Sequence, residues 1–174
     1  MNQILGIRQM TNTFDYDDIR GSVEKHLGKD NLGWVRIVTE CFEAIKKHCD
    51  RREESYPSVD HIKQKFGSLR IYLDRAQEDT FIQLRLQQAM QEAEMSCERC
   101  GNASTAQVIA AWHVNLCCWH AHEAATERME TFPTVRLNTR AKNDALQCRS
   151  CGYIGQIAWD ASGHRCPACV AKGW

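Results

Sequence analysis

The chain has 174 residues, and its 22 basic and 22 acidic side chains give a formal net charge of zero. That length suits one or two domains, and binding nucleic acid through charge at zero net charge requires a local basic patch. Apolar residues make up 43% of the chain, but no run reaches the ~18 residues of a membrane span.

The opening "MNQILGIRQMTNTFDYDD" lacks the charged start and apolar stretch of a secretory signal, so a cytoplasmic protein without membrane association is expected. Ten cysteines are many for that compartment, where metal ligation is favoured over disulfides. Eight follow Ser96, and six of those form C-x-x-C pairs: Cys97/Cys100, Cys148/Cys151 and Cys166/Cys169.

Residues 1–95 read as an α+β unit of helix, helix, hairpin and helix. "DYDDIRGSVEKHLG" carries acids at its start and Gly28 at its end, as a short helix with a favourable dipole and a glycine stop does. From Leu32, Trp34, Val35, Ile37, Val38, Cys41, Phe42, Ile45 and Cys49 recur at helical spacing opposite a charged face. Cys41 and Cys49 lie on that apolar face and are expected as core thiols.

In "SVDHIKQKFGSLRIYLDR" the period changes to two. Ile62, Gln64 and Phe66 alternate with Lys63 and Lys65; Leu69, Ile71 and Leu73 alternate with Arg70 and Tyr72. This is a hairpin about Gly67-Ser68 with one face buried, the other gathering Lys63, Lys65, Arg70 and Arg75. "EDTFIQLRLQQAMQEAEMS" returns to helical spacing.

Residues 96–132 read as a treble-clef-like zinc module. "CERCG" has knuckle spacing, "AQVIAAWHVNLC" reads as a short hairpin and "CWHAHEAATERME" as a helix. Cys97, Cys100, Cys117 and His120 are the favoured ligands, because Cys117 and His120 stand three apart on one helix face. The alternative register uses Cys118 and His122; in the favoured one Cys118 is a packing residue. His113 is expected on the hairpin surface.

Residues 133–147 read as a linker, and 148–174 as a zinc ribbon or rubredoxin-like pair of knuckles with Cys148, Cys151, Cys166 and Cys169 as ligands. Four protein ligands close each site, which marks both as structural, and so short a C-terminal segment needs its metal to fold. Arg99, Arg149 and Arg165 stand beside ligands and are expected to offset thiolate charge. Two zinc ions are the expected cofactors, with iron at the C-terminal site as the alternative.

The combination "IKQKFGSLRIYLD" and "CERCG…LCCWH" resembles a family of small phage and bacterial proteins that carry a lysine-phenylalanine-glycine-leucine-arginine hairpin followed by a knuckle and a C-x-x-H pair. The resemblance covers roughly residues 32 to 122. It implies Cys117 with His120 as the closing pair and a phage or prophage accessory product acting in the host cytoplasm. The chain departs from the family in its extra Cys118 and its second metal motif.

Enzyme signatures are weak. "NLCCWHAH" is similar to the end of an HNH nuclease, but Asp60-His61 precedes the first knuckle and only sixteen residues separate Cys100 from Cys117. No lysine has an acid two positions before it, and no Glu-x-x-His motif accompanies the rubredoxin-like pair. A non-enzymatic zinc protein is therefore expected. A protein partner, such as a host factor that it regulates or inhibits, ranks first. Trp112, Trp119, Tyr153, Trp159 and Trp174 are interface candidates, with a role as the modules' own core as the alternative. Nucleic acid ranks second, through Lys63, Lys65, Arg70, Arg136, Arg140 and Lys142; the stretch from Arg136 to Trp174 holds six basic and two acidic residues.

Overall fold

Asp18 opens the first helix, α1 (Ile19–Leu27), by accepting a hydrogen bond from Gly21 N, and Gly28 closes it at φ +68°. These positions belong to a computed structural model that describes residues 13–74, 76, 78–109, 111–127, 136–137, 147–154, 158–160 and 163–173. A 3-10 turn (Lys29–Trp34) leads into α2 (Val35–Arg52), which buries Val35, Ile37, Val38, Cys41, Phe42, Ile45 and Cys49. β1 (Val59–Lys65) and β2 (Ser68–Leu73) pair antiparallel, and α3 (Thr80–Glu94) follows, capped by Asp79.

These elements enclose one core. Trp34, Val38, Phe42 and Ile45 of the second helical segment meet Val23, Ile62, Leu69, Ile82 and Ala89. Cys41 and Cys49 lie in it as expected, and burial pushes the Cys41 thiol up to about 12. Truncating a fully buried ring such as Phe42 to alanine in such a core costs about 3–5 kcal/mol.

The hairpin turns at Phe66 and Gly67, which both have positive φ (+53° and +74°). Such turns match the twist of the strands but favour asparagine and glycine. Lys63 stands opposite Arg70 and His61 opposite Tyr72. Asp60 sits at an irregularity in the register, so the solvent side carries His61, Lys63, Lys65, Arg70 and Tyr72 without an acid among them.

β3 (Thr105–Ile109) and β4 (Trp112–Leu116) form the second hairpin, and α4 (Cys118–Glu127) follows it. The segment expected as a linker contributes β5 (Arg136–Leu137), which pairs with β3. β6 (Ala158–Asp160) and β7 (Gly163–Arg165) make a third hairpin that runs into α5 (Pro167–Lys172). The last cysteine pair therefore opens a helix, where the ribbon reading placed a second knuckle. Pro167 in the first helical turn presets its backbone, and Gly173 ends it. Side chains of 97–125 and of 148–169 share a second core, with Tyr153 at its centre donating its hydroxyl to Leu116 O.

Candidate metal centres

Two groups of donors among the described residues converge closely enough to hold a metal ion each: Cys97, Cys100, Cys117 and His120, and His122, Cys151, Cys166 and Cys169, with all donor atoms of a group within 4.8 Å of one another. In the first, Cys100 Sγ lies 3.8 Å from Cys117 Sγ, and His120 Nδ1 lies 3.3 Å from Cys97 Sγ and 3.4 Å from Cys117 Sγ. Tetrahedral bonds of about 2.3 Å to sulfur and about 2.0 Å to nitrogen set ligand separations of roughly 3.5–3.8 Å. The expected first set is thus assembled as the helical spacing requires.

The backbone explains the assembly. Gly101 N donates to Cys97 O at 2.8 Å and Cys97 N to Asn102 O at 2.7 Å, with Gly101 at φ +76°. The glycine makes the knuckle's tight turn possible. On the other side, Ala121 N donates to Cys117 O at 2.9 Å, so Cys117 and His120 share the first turn of α4. Contact with the Cys117 thiol, aided by backbone N–H groups, holds the Cys97 thiol down at about 4, against the opposing effect of burial. The same contact pushes Cys117 up.

The second centre repeats this plan. Gly152 N donates to Cys148 O at 2.8 Å, Cys148 N to Tyr153 O at 2.7 Å, and Gly152 has φ +72°. Val170 N donates to Cys166 O at 3.0 Å, which places Cys166 and Cys169 one turn apart at the start of α5. Knuckle, hairpin and helix start thus occur twice. Cys151 Sγ lies 3.7 Å from Cys166 Sγ, and His122 Nε2 lies 3.9 Å from Cys166 Sγ and 3.7 Å from Cys169 Sγ.

Sequence reasoning missed the part α4 plays here. In the sequence His122 is only an alternative ligand of the first centre, yet it is buried against Cys166 and Cys169. Cys118, read as packing, is buried, and the influence of Cys166 together with burial pushes its thiol up. Cys148, an expected ligand, is buried in the same core but is not among the four converging donors, where His122 stands with Cys151, Cys166 and Cys169. The segment "CCWHAH" therefore serves both centres: Cys117 and His120 face one, and His122 the other.

Gly33 is a second omission. It donates its N–H to Glu98 O at 2.8 Å, and a Cβ there would lie 2.1 Å from Cys97 O. Only glycine lets the N-terminal unit lie so close to the first knuckle. Trp34 adds a hydrogen bond from Nε1 to Ser96 O at 2.8 Å. Glu98 is buried, which raises its carboxyl above the ordinary value; its Oε2 accepts from Asn115 N at 3.1 Å and Gln64 Nε2 at 3.3 Å. Gln64 Nε2 also donates to His113 O at 3.1 Å, so the first two hairpins are tied tip to tip.

At those tips Phe66 and Trp112 are 67% and 65% exposed, far more than a core role allows. Phe66 meets the His113 ring edge-on at 5.9 Å, Lys65 Nζ lies 5.5 Å from the Phe66 ring, and Lys63 Nζ lies 5.8 Å from the Tyr72 ring. His61 packs on Tyr72 at 4.6 Å. Trp119 is also exposed, whereas Tyr153 is core. Arg99 pairs with Glu123 and Glu127 of α4, at 3.1 and 3.4 Å, and so braces the helix against the knuckle. Arg140, Lys142 and Trp174 lie outside the described residues, as do the side chains of Arg136 and Trp159.

No protein-family model, no curated protein and no solved structure matches this chain. No helix among the described residues is long and apolar enough to cross a membrane.

Proposed function

We propose that the protein is a non-catalytic zinc protein whose metal centres stiffen a binding surface, and that the surface takes single-stranded nucleic acid. Thiolate and imidazole donors in closed tetrahedral sets suit structural zinc. The observation that carries the binding reading is the strip along the first hairpin: Lys63 directly opposite Arg70, Lys65 beside them, and exposed Tyr72, Phe66 and Trp112 along and beyond it. Like charges facing across a strand pair are unfavourable, and among the described residues no carboxylate pairs with any of the three cations. An anionic ligand relieves that repulsion.

Aromatic faces interleaved with cations suit a flexible single strand, where bases stack and phosphates meet ammonium and guanidinium groups. Phe66 strengthens this reading. A phenylalanine at φ +53° and 67% exposed is strained without burying its ring, and such strain tends to persist where a side chain is needed for binding.

The sequence alone ranks a protein partner first, in the setting of a phage accessory product that regulates a host factor. The composition of the strip favours reversing that order. A partner protein of matching chemistry would carry an acidic surface. Fluorescence anisotropy with a labelled single-stranded oligonucleotide tests the choice: saturable binding lost in a Lys63→Gln/Arg70→Gln variant supports nucleic acid. Absence of binding to single-stranded DNA and RNA alike refutes it.

A further inference from the structure

Cys100 stands apart from the other nine cysteines, which are buried while it is exposed. It lines a groove of about 600 Å³ shared with Arg36 and Thr39 of α2. Its Sγ nevertheless lies 3.8 Å from that of the buried Cys117. A sulfur open to solvent is thus backed by a second sulfur at close range. The second centre supplies the contrast. Cys151 Sγ and Cys166 Sγ are 3.7 Å apart, but all four converging donors there are buried. Two sulfur pairs of nearly equal separation therefore differ in their access to small molecules in solvent.

A cysteine that ligates metal does so as thiolate, and thiolate is also the form that attacks an oxidant. We propose that the first centre is a redox switch, in which hydrogen peroxide joins Cys100 to Cys117 and frees the metal ion. The Cys100 thiolate attacks one peroxide oxygen and breaks the O–O bond, giving a sulfenic acid and a hydroxide. The Cys117 thiolate then attacks the Cys100 sulfur, forms the S–S bond and displaces a second hydroxide. Two protons from solvent convert the hydroxides to two waters; the sulfurs have lost two electrons and peroxide has gained them. Cys97 and His120 alone are left to face the ion, too few to complete a tetrahedral set. The knuckle and the start of α4 stay joined, now by a covalent bond that a thiol reductant reverses.

The inference rests on the reading of the first cluster as a metal site, and the two fail separately. Native mass spectrometry of the full zinc-loaded chain should show two ions; fewer than two would remove the metal reading and the switch with it. After hydrogen peroxide, blocking of free thiols and peptide mapping should show a Cys100–Cys117 disulfide. It should form roughly tenfold or more ahead of any bond between Cys151 and Cys166, because only the first pair presents an exposed sulfur. One zinc ion should be released with it, and dithiothreitol with added zinc should restore two. Two ions retained, with Cys100 and Cys117 still free, would refute the switch and leave the metal reading standing. A bond between Cys97 and Cys100 would refute the assigned partner, and equal rates at the two centres would refute the role of exposure. Cys100→Ser should lose the rapid oxidation, and disulfide formation at the unmutated rate would contradict the assignment. The mapping of the unmutated chain decides the matter even if that variant fails to fold.

Discussion

His120 and His122 stand two positions apart on α4, yet their rings enter different donor groups. His120 Nδ1 lies 3.3 Å from Cys97 Sγ, while His122 Nε2 lies 3.7 Å from Cys169 Sγ. α4 is consequently a wall common to both centres.

Loss of one centre should therefore weaken the other. Cys100 is the exposed ligand of the first set, so Cys100→Ser disturbs packing least. We expect this variant to release metal from the second centre to a chelator at least several-fold faster than the unmutated protein. Equal release rates, read by a colorimetric zinc indicator, would show that the centres are independent.

Gly33→Ala should act across the boundary between the N-terminal unit and the first knuckle. The added Cβ would meet Cys97 O at 2.1 Å and Cys100 N at 2.6 Å, both backbone atoms that cannot swing aside. Overpacking of this kind costs about 1–3 kcal/mol. Thermal unfolding should show the loss, and zinc affinity of the first centre should fall with it. An unchanged melting temperature would mean that the knuckle does not rest on Gly33.

Asp79 caps α3 through Phe81 N and Ile82 N and accepts a hydrogen bond from His48 Nε2 at 2.9 Å. The His48 contact lowers its carboxyl below the ordinary value, with partial opposition from burial. A depressed carboxyl contributes stability that is complete above its unfolded value, about 3.9, and is lost as pH falls through the folded one. Asp79→Ala should cost about 1 kcal/mol at neutral pH. The deficit should shrink in acid, below about pH 4, where the unmutated protein also loses the interaction. A constant deficit from neutral to acid pH in urea titrations would contradict this assignment.

Phe66 offers a trade between stability and binding. Asparagine tolerates positive φ far better than phenylalanine and is favoured ahead of glycine in such turns. Phe66→Asn should match or exceed the unmutated protein in stability, by up to about 1 kcal/mol, while its affinity for single-stranded nucleic acid drops. Lower stability together with unchanged affinity would mean that the ring serves the fold.

Much of the fold was legible because it depends on local pattern. The apolar spacing from Trp34 to Cys49 marked α2, and the alternation on either side of Phe66-Gly67 marked the first hairpin. The three-residue offset of Cys117 and His120 was enough to bring them to one ion's reach of Cys97 and Cys100. What stayed hidden depends on packing between distant segments. His122 meets Cys166 and Cys169 from 44 and 47 positions away, and no local period encodes that. The use of Gly33 likewise follows from the approach of a knuckle more than sixty residues downstream. The exposure of Trp112 reflects its place at a hairpin tip.

The salt dependence of binding to a single-stranded oligonucleotide reads out the phosphate contacts of the first hairpin. Three phosphate contacts, by Lys63, Lys65 and Arg70, predict that log K falls with log salt at a slope of about −2. Replacing all three with glutamine should flatten that slope and lower affinity at low salt by at least tenfold. Saturable binding with the same slope in both proteins would place the nucleic acid elsewhere, and no saturable binding by the zinc-loaded protein would contradict the account.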